Sequence, residues 1–394
     1  MRDTISSPER DYDNALRALG FSKSEDPFPV SSPEAVDYWA DNTDVLKQVV
    51  KTEIDSLMFS ATTFYLFWGP TGVGKTFATR YISNPQVIQK ITKNLKKKET
   101  MEPPFSLNVV ATAPLRAGDL TLSIHRQLVT GMIEEISKDV KLTEKLAMIH
   151  NDIEVGYVKA AFKNLGSAIH RTLHGSVSIE NIEGNDGFKY LMQERGKLGR
   201  SYDINDLVII VKYLTVILLS KYGRISITID ELENLSRSRS STEKVLLSDY
   251  LRRLHDVIDS HLRVFLIFSF DSIEEVNVLL QPALLSRITT IIKFDFVNNA
   301  KDIKEYISDC IKYRSRTNIR DLFDIEVVDR IATVLLEKFK PTLSFRDINK
   351  QMHDVLERCF LSEDRPQKDL RITRRVYDRA MKVDPDSIVK DLKG

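Results

Sequence analysis

Cysteine is almost missing: Cys310 and Cys359 are the only two in 394 residues, and they lie far apart without metal-ligand spacing. That excludes a disulfide scaffold and suits a reducing compartment. Neither charge is in excess, with 57 basic residues against 56 acidic for a net charge of +1. No global field marks nucleic acid or a membrane as a partner, so any such surface has to be local. No apolar run reaches 18 residues without a charge, and the opening MRDTISSPERDYDN is too polar for a signal peptide. The expectation is a soluble, cytoplasmic protein without a membrane partner. Fixed-period repeats are missing too, and low complexity is confined to SRSRSST at 236–242. What is present is 42% apolar residues, enough to furnish a core for one large domain or two to three smaller ones.

The most informative stretch is FWGPTGVGKTF at 67–77. Gly69, Gly74, Lys75 and Thr76 satisfy G-x-x-x-x-G-K-[ST], in which a glycine-rich loop turns backbone N–H groups toward phosphate oxygens at the start of a helix. Glycine is needed where a side chain would block that approach, Lys75 reaches the outer phosphates, and the Thr76 hydroxyl ligates Mg2+. The candidate cradle comprises Gly69, Pro70, Thr71, Gly72, Val73, Gly74, Lys75, Thr76 and Phe77. TFYLFW before it reads as a buried strand and KTFATRYI after it as a short helix ended by SNP.

Along the chain, residues 1–42 are polar and turn-rich, a wrapped N-terminal segment rather than a domain. A helix is expected over about 43–59. Beyond the loop, SLNVVAT, RISITID, RVFLIFSF and ITTIIKFDF read as strands separated by amphipathic helices. One of these helices is the apolar INDLVIIVKYLTVILLSKYG, with Gly223 as its stop. Residues 142–203 break the alternation as a mostly helical insertion with a polar loop. Five strands alternating with helices predict an α/β P-loop fold with a parallel sheet between helices, over 43–297. From 298 to 394 only helices are expected, as a separate lid domain.

A phosphate loop does not by itself specify hydrolysis; an acid must hold the metal and a group must polarise water. ISITIDE supplies both at a strand end: Asp230 for the Mg2+ shell and Glu231 for the water. A solvent-facing acid pair is the alternative.

GPTGVGKT, ITIDE, VFLIFS, QPALLSRI and SFRD, in that order, resemble the AAA+ ATPases, and among them the branch that holds origin-recognition and Cdc6-type initiators, ExeA-like secretion ATPases and transposon-regulator ATPases. The resemblance runs from about Leu19 to Lys382. It implies ATP and Mg2+ as cofactors and ATP hydrolysis as the activity. Ser269 then takes the polar sensor-1 place, against a plain strand-end cap, and Arg287 matches the arginine that reaches a neighbouring subunit's ATP, against a surface ion pair. Arg346 matches sensor 2 on the lid, although Ser344 and Phe345 stand before it where many relatives carry a small residue or proline. Pro27, Phe28 and Pro29 either frame the adenine or anchor the segment through Phe28. Initiators usually continue into a winged-helix DNA-binding domain, and only 48 residues follow Arg346, so a dedicated DNA reader is not expected on this chain.

Three basic clusters are candidate partner surfaces: Lys93 with Lys96, Lys97 and Lys98; Arg237 with Arg239; and Arg371, Arg374, Arg375 and Arg379. The second directly follows the acid pair. The expected function is an ATPase that assembles with copies of itself, as a ring or helix, in a DNA-linked process such as defence, transposition or replication. The alternative is a slow nucleotide-gated scaffold that recruits an effector protein.

Overall fold

The computed structural model describes residues 13–17, 21, 26–31, 33, 36–40, 44–59, 61–94, 104–113, 119–171, 183–193, 203–237, 241–315, 319–361 and 371–381. The chain forms two compact units. One comprises Gln48–Gly69 and Ala78–Phe294; the other comprises Pro70–Phe77 and Asp295 onward, together with the described residues up to Lys47. The glycine-rich loop therefore groups with the C-terminal helices, and the change of unit falls at Asp295.

The first unit is built on five parallel strands, β1 Thr63–Trp68, β2 Phe105–Val110, β3 Ile225–Asp230, β4 Leu262–Phe268 and β5 Ile288–Lys293, in the order β2-β3-β4-β1-β5. Sequence dictates this order of burial. β1 and β4 are buried at every residue and β3 at all but Asp230, as unbroken apolar runs require when helices cover both faces. β2 and β5 alternate buried and open residues, and they form the two edges. The Gln127 side chain covers the open end of β2, accepting from Val110 N at 3.0 Å and donating to Val110 O at 2.9 Å.

Register places the strand ends. Trp68 is level with Phe268, and Ile229 with Leu266, so Gly69, Asp230 and Ser269 all stand at the carboxyl ends of their strands. At the opposite ends lies a charge cluster. Arg263, fully buried, pairs with the equally buried Glu53 of the helix Asp44–Phe59. It also donates to Ser226 Oγ and Ile82 O, each at 3.3 Å, while Arg224 reaches the second Glu53 oxygen at 3.1 Å. Burial pulls both guanidinium groups down, Arg263 to about 9 and Arg224 to about 10, and both stay charged at neutral pH.

The insertion does not stand apart. Its helices Val140–Met148, Gly156–Arg171 and Asp186–Leu191 bury Leu142, Leu146, Phe162, Leu165 and Phe188 in the same core as the sheet. His125, on the helix Asp119–Ser137, ties it down. Its Nε2 meets Leu191 O at 2.9 Å and its Nδ1 meets Tyr250 OH at 3.2 Å, which makes Nε2 the protonated nitrogen. Arg126 adds bonds to Met192 O at 2.8 Å and Gln193 O at 3.0 Å.

In the helix Ile204–Leu219, the expected face of Leu207, Ile210, Val211, Leu214 and Leu218 is fully buried, but Gly223 is not its stop. The helix ends four residues earlier, at Leu219, and is capped by Ser220, whose hydroxyl donates to Ile217 O at 2.6 Å while Lys221 N and Tyr222 N close on Leu218 O. SNP likewise ends one helix and starts another, Pro85–Asn94, because Asn84 Oδ1 accepts from Gln86 N at 2.8 Å with proline at the first position.

The second unit packs the helices Ala300–Ser315, Ile325–Phe339, Phe345–Leu361 and Arg374–Ala380 around Ile303, Ile307, Ile331, Leu335, Ile348 and Met352. Cys310 and Cys359 are buried free thiols in this core. Phe28, 1% exposed, sits there too, so it anchors the segment. His353 Nε2 holds the Phe28 carbonyl at 2.7 Å, and Asn349 Nδ2 holds that of Pro29 at 2.6 Å.

Two consequences are measurable. Glu53→Ala leaves two buried arginines uncompensated and lowers the unfolding free energy by about 3–5 kcal/mol in denaturant titrations; replacing Arg263 by Met in the same chain recovers part of it. Burial holds His125 down to about 4 from an ordinary 6.5, so the unfolded chain takes up a proton first. Its contribution is complete above pH 6.5 and declines by about 3 kcal/mol as pH falls toward 4. Thermal melts at pH 7.5 and 5 measure the effect, and His125→Gln narrows the difference between them.

Candidate nucleotide site

Gly69 leaves β1 with φ of 140°, and a Cβ there would stand 2.0 Å from the Phe294 carbonyl oxygen. Phe294 N bonds Trp68 O at 2.8 Å, so the end of β5 closes on the point where the loop begins. Only glycine fits.

Within the second unit, the loop Pro70–Phe77 carries Gly72 and Gly74 at φ of 84° and 96°. Lys75 opens the helix Lys75–Ser83; it is 5% exposed and its Nζ donates to the Pro70 carbonyl at 2.6 Å. The ammonium is thus folded back over the loop's own backbone. Val73 is buried, Thr76 half-buried and Thr71 exposed. Phe77 is met edge-on by Tyr38 and Trp39 at 5.7 and 6.0 Å between centroids.

The helix Phe345–Leu361 begins against this loop. Arg346 N donates to Gly72 O at 3.3 Å, and a Cβ on Gly72 would stand 2.8 Å from Ser344 Oγ. Ser344 Oγ donates to Asp347 Oδ2 at 2.6 Å and accepts from Asp347 N at 3.2 Å, capping the helix. Phe345 packs on Tyr306 at 4.6 Å. The two residues that depart from the family pattern before Arg346 therefore have structural work, one as cap and one as packing. The Arg346 side chain is exposed.

Within the first unit, Asp230 closes β3 and Glu231, exposed, follows at φ of 60°. A left-handed glutamate is uncommon and disfavoured by about 1 kcal/mol or more, and such residues gather at functional sites. It is held by its own N–H on Asp230 Oδ1 at 2.8 Å and by Asn234 N on its carbonyl at 3.0 Å. Ser269, half-buried after β4, donates its N–H to Glu233 Oε2 at 3.1 Å.

Arg287 follows the short helix Pro282–Leu285 and grips Asp256 with both prongs, Nε to Oδ1 at 2.7 Å and Nη2 to Oδ2 at 3.0 Å, with Nη1 on Ala283 O at 2.7 Å. The Arg287 hydrogen bond lowers the Asp256 carboxyl below its usual range and raises Arg287 in turn. Glu233, Asn234 and Asp256 were invisible as site residues: only adjacency to ITIDE marks the first two, and nothing in spacing marks the third.

Of the basic clusters, Arg371 pairs with Asp324 at 2.9 Å and Arg374 with Glu326 at 2.8 Å; Arg375 and Arg379 are exposed as well. Lys93 and Arg237 are exposed; Lys96, Lys97, Lys98 and Arg239 lie outside the described residues. Among the described residues no group of three or more His, Cys, Asp and Glu side chains gathers as a metal site, and no helix is long and apolar enough to cross a membrane.

No protein-family model matches the chain, and no curated protein does. Among solved structures it is similar to the Aeropyrum pernix ORC2 protein in its ADP form, at 10% identity and a TM-score of 0.50, over 90% of this chain and 71% of that one. Alignments also extend to the Aeropyrum pernix ORC1 protein in complex with DNA (14% identity, 92% and 69% covered, TM-score 0.47) and to Drosophila ORC bound to DNA (12% identity, 99% and 71% covered, TM-score 0.43). These neighbours are ORC proteins, and the likeness is one of fold: a parallel α/β sheet with a helical domain.

The tightness around the first glycine is directly testable. Gly69→Ala introduces an overlap with Phe294 O and a disfavoured φ, and denaturant titration is expected to find a loss of about 2–4 kcal/mol.

Proposed function

We propose that this protein is an ATPase of the AAA+ type, in which Mg2+-ATP binding and hydrolysis drive assembly and remodelling of copies of the chain. One observation carries the reading: Gly69, where the glycine-rich loop begins, the Asp230–Glu231 pair with Glu231 left-handed, and Ser269 stand at the carboxyl ends of three neighbouring strands of a parallel sheet, where open α/β folds bind ligands. In this role the loop from Gly69 to Phe77 takes the phosphates and Lys75 exchanges the Pro70 carbonyl for phosphate oxygens. Thr76 Oγ1 and the Asp230 carboxylate are hard oxygen donors, the type Mg2+ takes in small number beside phosphate and water. Bound Mg2+ would neutralise charge on the phosphates. Glu231 polarises the attacking water, Ser269 holds that water or the terminal phosphate, and Arg346 links the lid to nucleotide state.

Arg287 is the residue for a neighbouring copy's nucleotide, and reaching it requires release from Asp256. Arg237, exposed six residues beyond Glu231, is suited to DNA phosphate without base reading. The ADP held by the Aeropyrum ORC2 protein agrees with an adenine nucleotide.

The test is phosphate release from Mg2+-ATP by the purified chain and by Glu231→Gln. The variant is expected to keep ATP binding and lose about a hundredfold or more in kcat. Hydrolysis at the parent rate would refute the role of Glu231.

A further inference from the structure

The turn that follows the acid pair has a specific construction. Leu232–Arg237 is a 3-10 helix anchored by Leu232 and Leu235, both fully buried, which fixes the two polar residues between them. Asn234 is buried, and its Nδ2 donates to the Ala111 carbonyl at 2.7 Å and toward Glu231 Oε2 at 3.4 Å. A primary amide has two N–H donors, and here one is tied to main chain while the other faces the carboxylate. Ala111 itself follows β2 and donates its N–H to Asp230 O at 2.8 Å. Glu233 accepts the Ser269 N–H at the end of β4. One turn thus joins the ends of β2, β3 and β4. The amide–carboxylate contact is the only one of these bonds that reaches the Glu231 side chain.

We propose that this turn is the positioning element of the hydrolytic site: Asn234 aims the Glu231 carboxylate, and Glu233 sets the backbone of Ser269. Neither residue needs to touch nucleotide. The proposal rests on the reading of Glu231 as the water-polarising group. A merely structural asparagine would hold β2 to the turn, and its loss would lower stability and ATP affinity whatever stands at 231. A positioning asparagine acts only through Glu231.

The experiment is a double-mutant cycle read by single-turnover hydrolysis, with KM for ATP and the melting temperature measured alongside. Asn234→Ala is expected to lower kcat about tenfold or more with KM changed less than about twofold, because small misplacements of a catalytic group carry effects of this size. On the Glu231→Gln background it is expected to add no further loss, since its partner no longer acts. Glu233→Ala should give the same split, and Glu233→Gln, which keeps an acceptor oxygen, should recover most of the rate. Equal losses on both backgrounds, or ATP affinity falling in step with kcat, overturn the proposal. If Asn234→Ala does not fold, the near-isosteric Asn234→Asp, which lacks the donor, carries the same comparison. Glu231→Gln turning over like the parent overturns the underlying reading; Glu231→Gln inactive with Asn234→Ala fully active overturns this proposal alone.

Discussion

A guanidinium and a carboxylate with no solvent contact hold the sheet in register. Burying either charge alone is strongly unfavourable, so Arg263 and Glu53 must stay together and must draw on neighbours for their remaining hydrogen bonds. The pair itself joins β4 to the helix Asp44–Phe59, and its further bonds come from β3 through Ser226, from Arg224 just before β3, and from the end of the helix Lys75–Ser83 through Ile82 O. Because Arg263 is level with Thr63 and Ser226, this cluster fixes the starts of β1, β3 and β4 relative to one another. Strands of nearly equal length that start level also finish level. The alignment of Gly69, Asp230 and Ser269 at the carboxyl ends is a consequence of charge buried at the opposite ends.

At those carboxyl ends the backbone is bent rather than relaxed. Gly69 is pressed against Phe294 O, and Glu231 occupies a region that a glutamate rarely enters. Such conformations persist only when surrounding bonds over-determine them. For Glu231 those bonds come from Asp230 on one side and Asn234 on the other. The left-handed turn at Glu231 thus breaks the alternation that β3 would have continued. In a regular strand, residues 230 and 231 would face opposite sides of the sheet.

How much of this was legible follows from what kind of signal each part leaves. TFYLFW and RVFLIF are mostly apolar runs, so they could be read as strands, and the C-terminal stretch reads as helices because its apolar residues recur at helical spacing, as in Ile325–Phe339. The glycine-rich loop and the acid pair stand out in the sequence because the chemistry proposed for them needs fixed types at fixed spacing. Short segments were not: Pro85–Asn94, Ile273–Leu279 and Ile319–Leu322 hide because proline or a polar cap reads as an ending as readily as a beginning. The supporting residues hide for another reason. Asn234 meets Ala111 across 123 residues, Glu233 meets Ser269 across 36 and Arg287 meets Asp256 across 31, and no local pattern encodes a partner that only the fold brings near.

The Arg287–Asp256 pair bears on how assembly would be driven. If Arg287 serves a neighbouring copy's nucleotide, its contribution is a difference between two partners rather than the worth of a new one. The pair it leaves is bidentate but open to water, and solvent-exposed pairs of this kind contribute little to stability. A nucleotide phosphate in a site closed from water offers a stronger, charge-assisted contact. Release is therefore inexpensive when nucleotide is present and unrewarded when it is absent. On the proposed reading, the exchange makes assembly depend on ATP without any large rearrangement of the sheet, and it leaves Asp256 with Arg252, already bonded to it at 3.0 Å, so no buried charge is stranded.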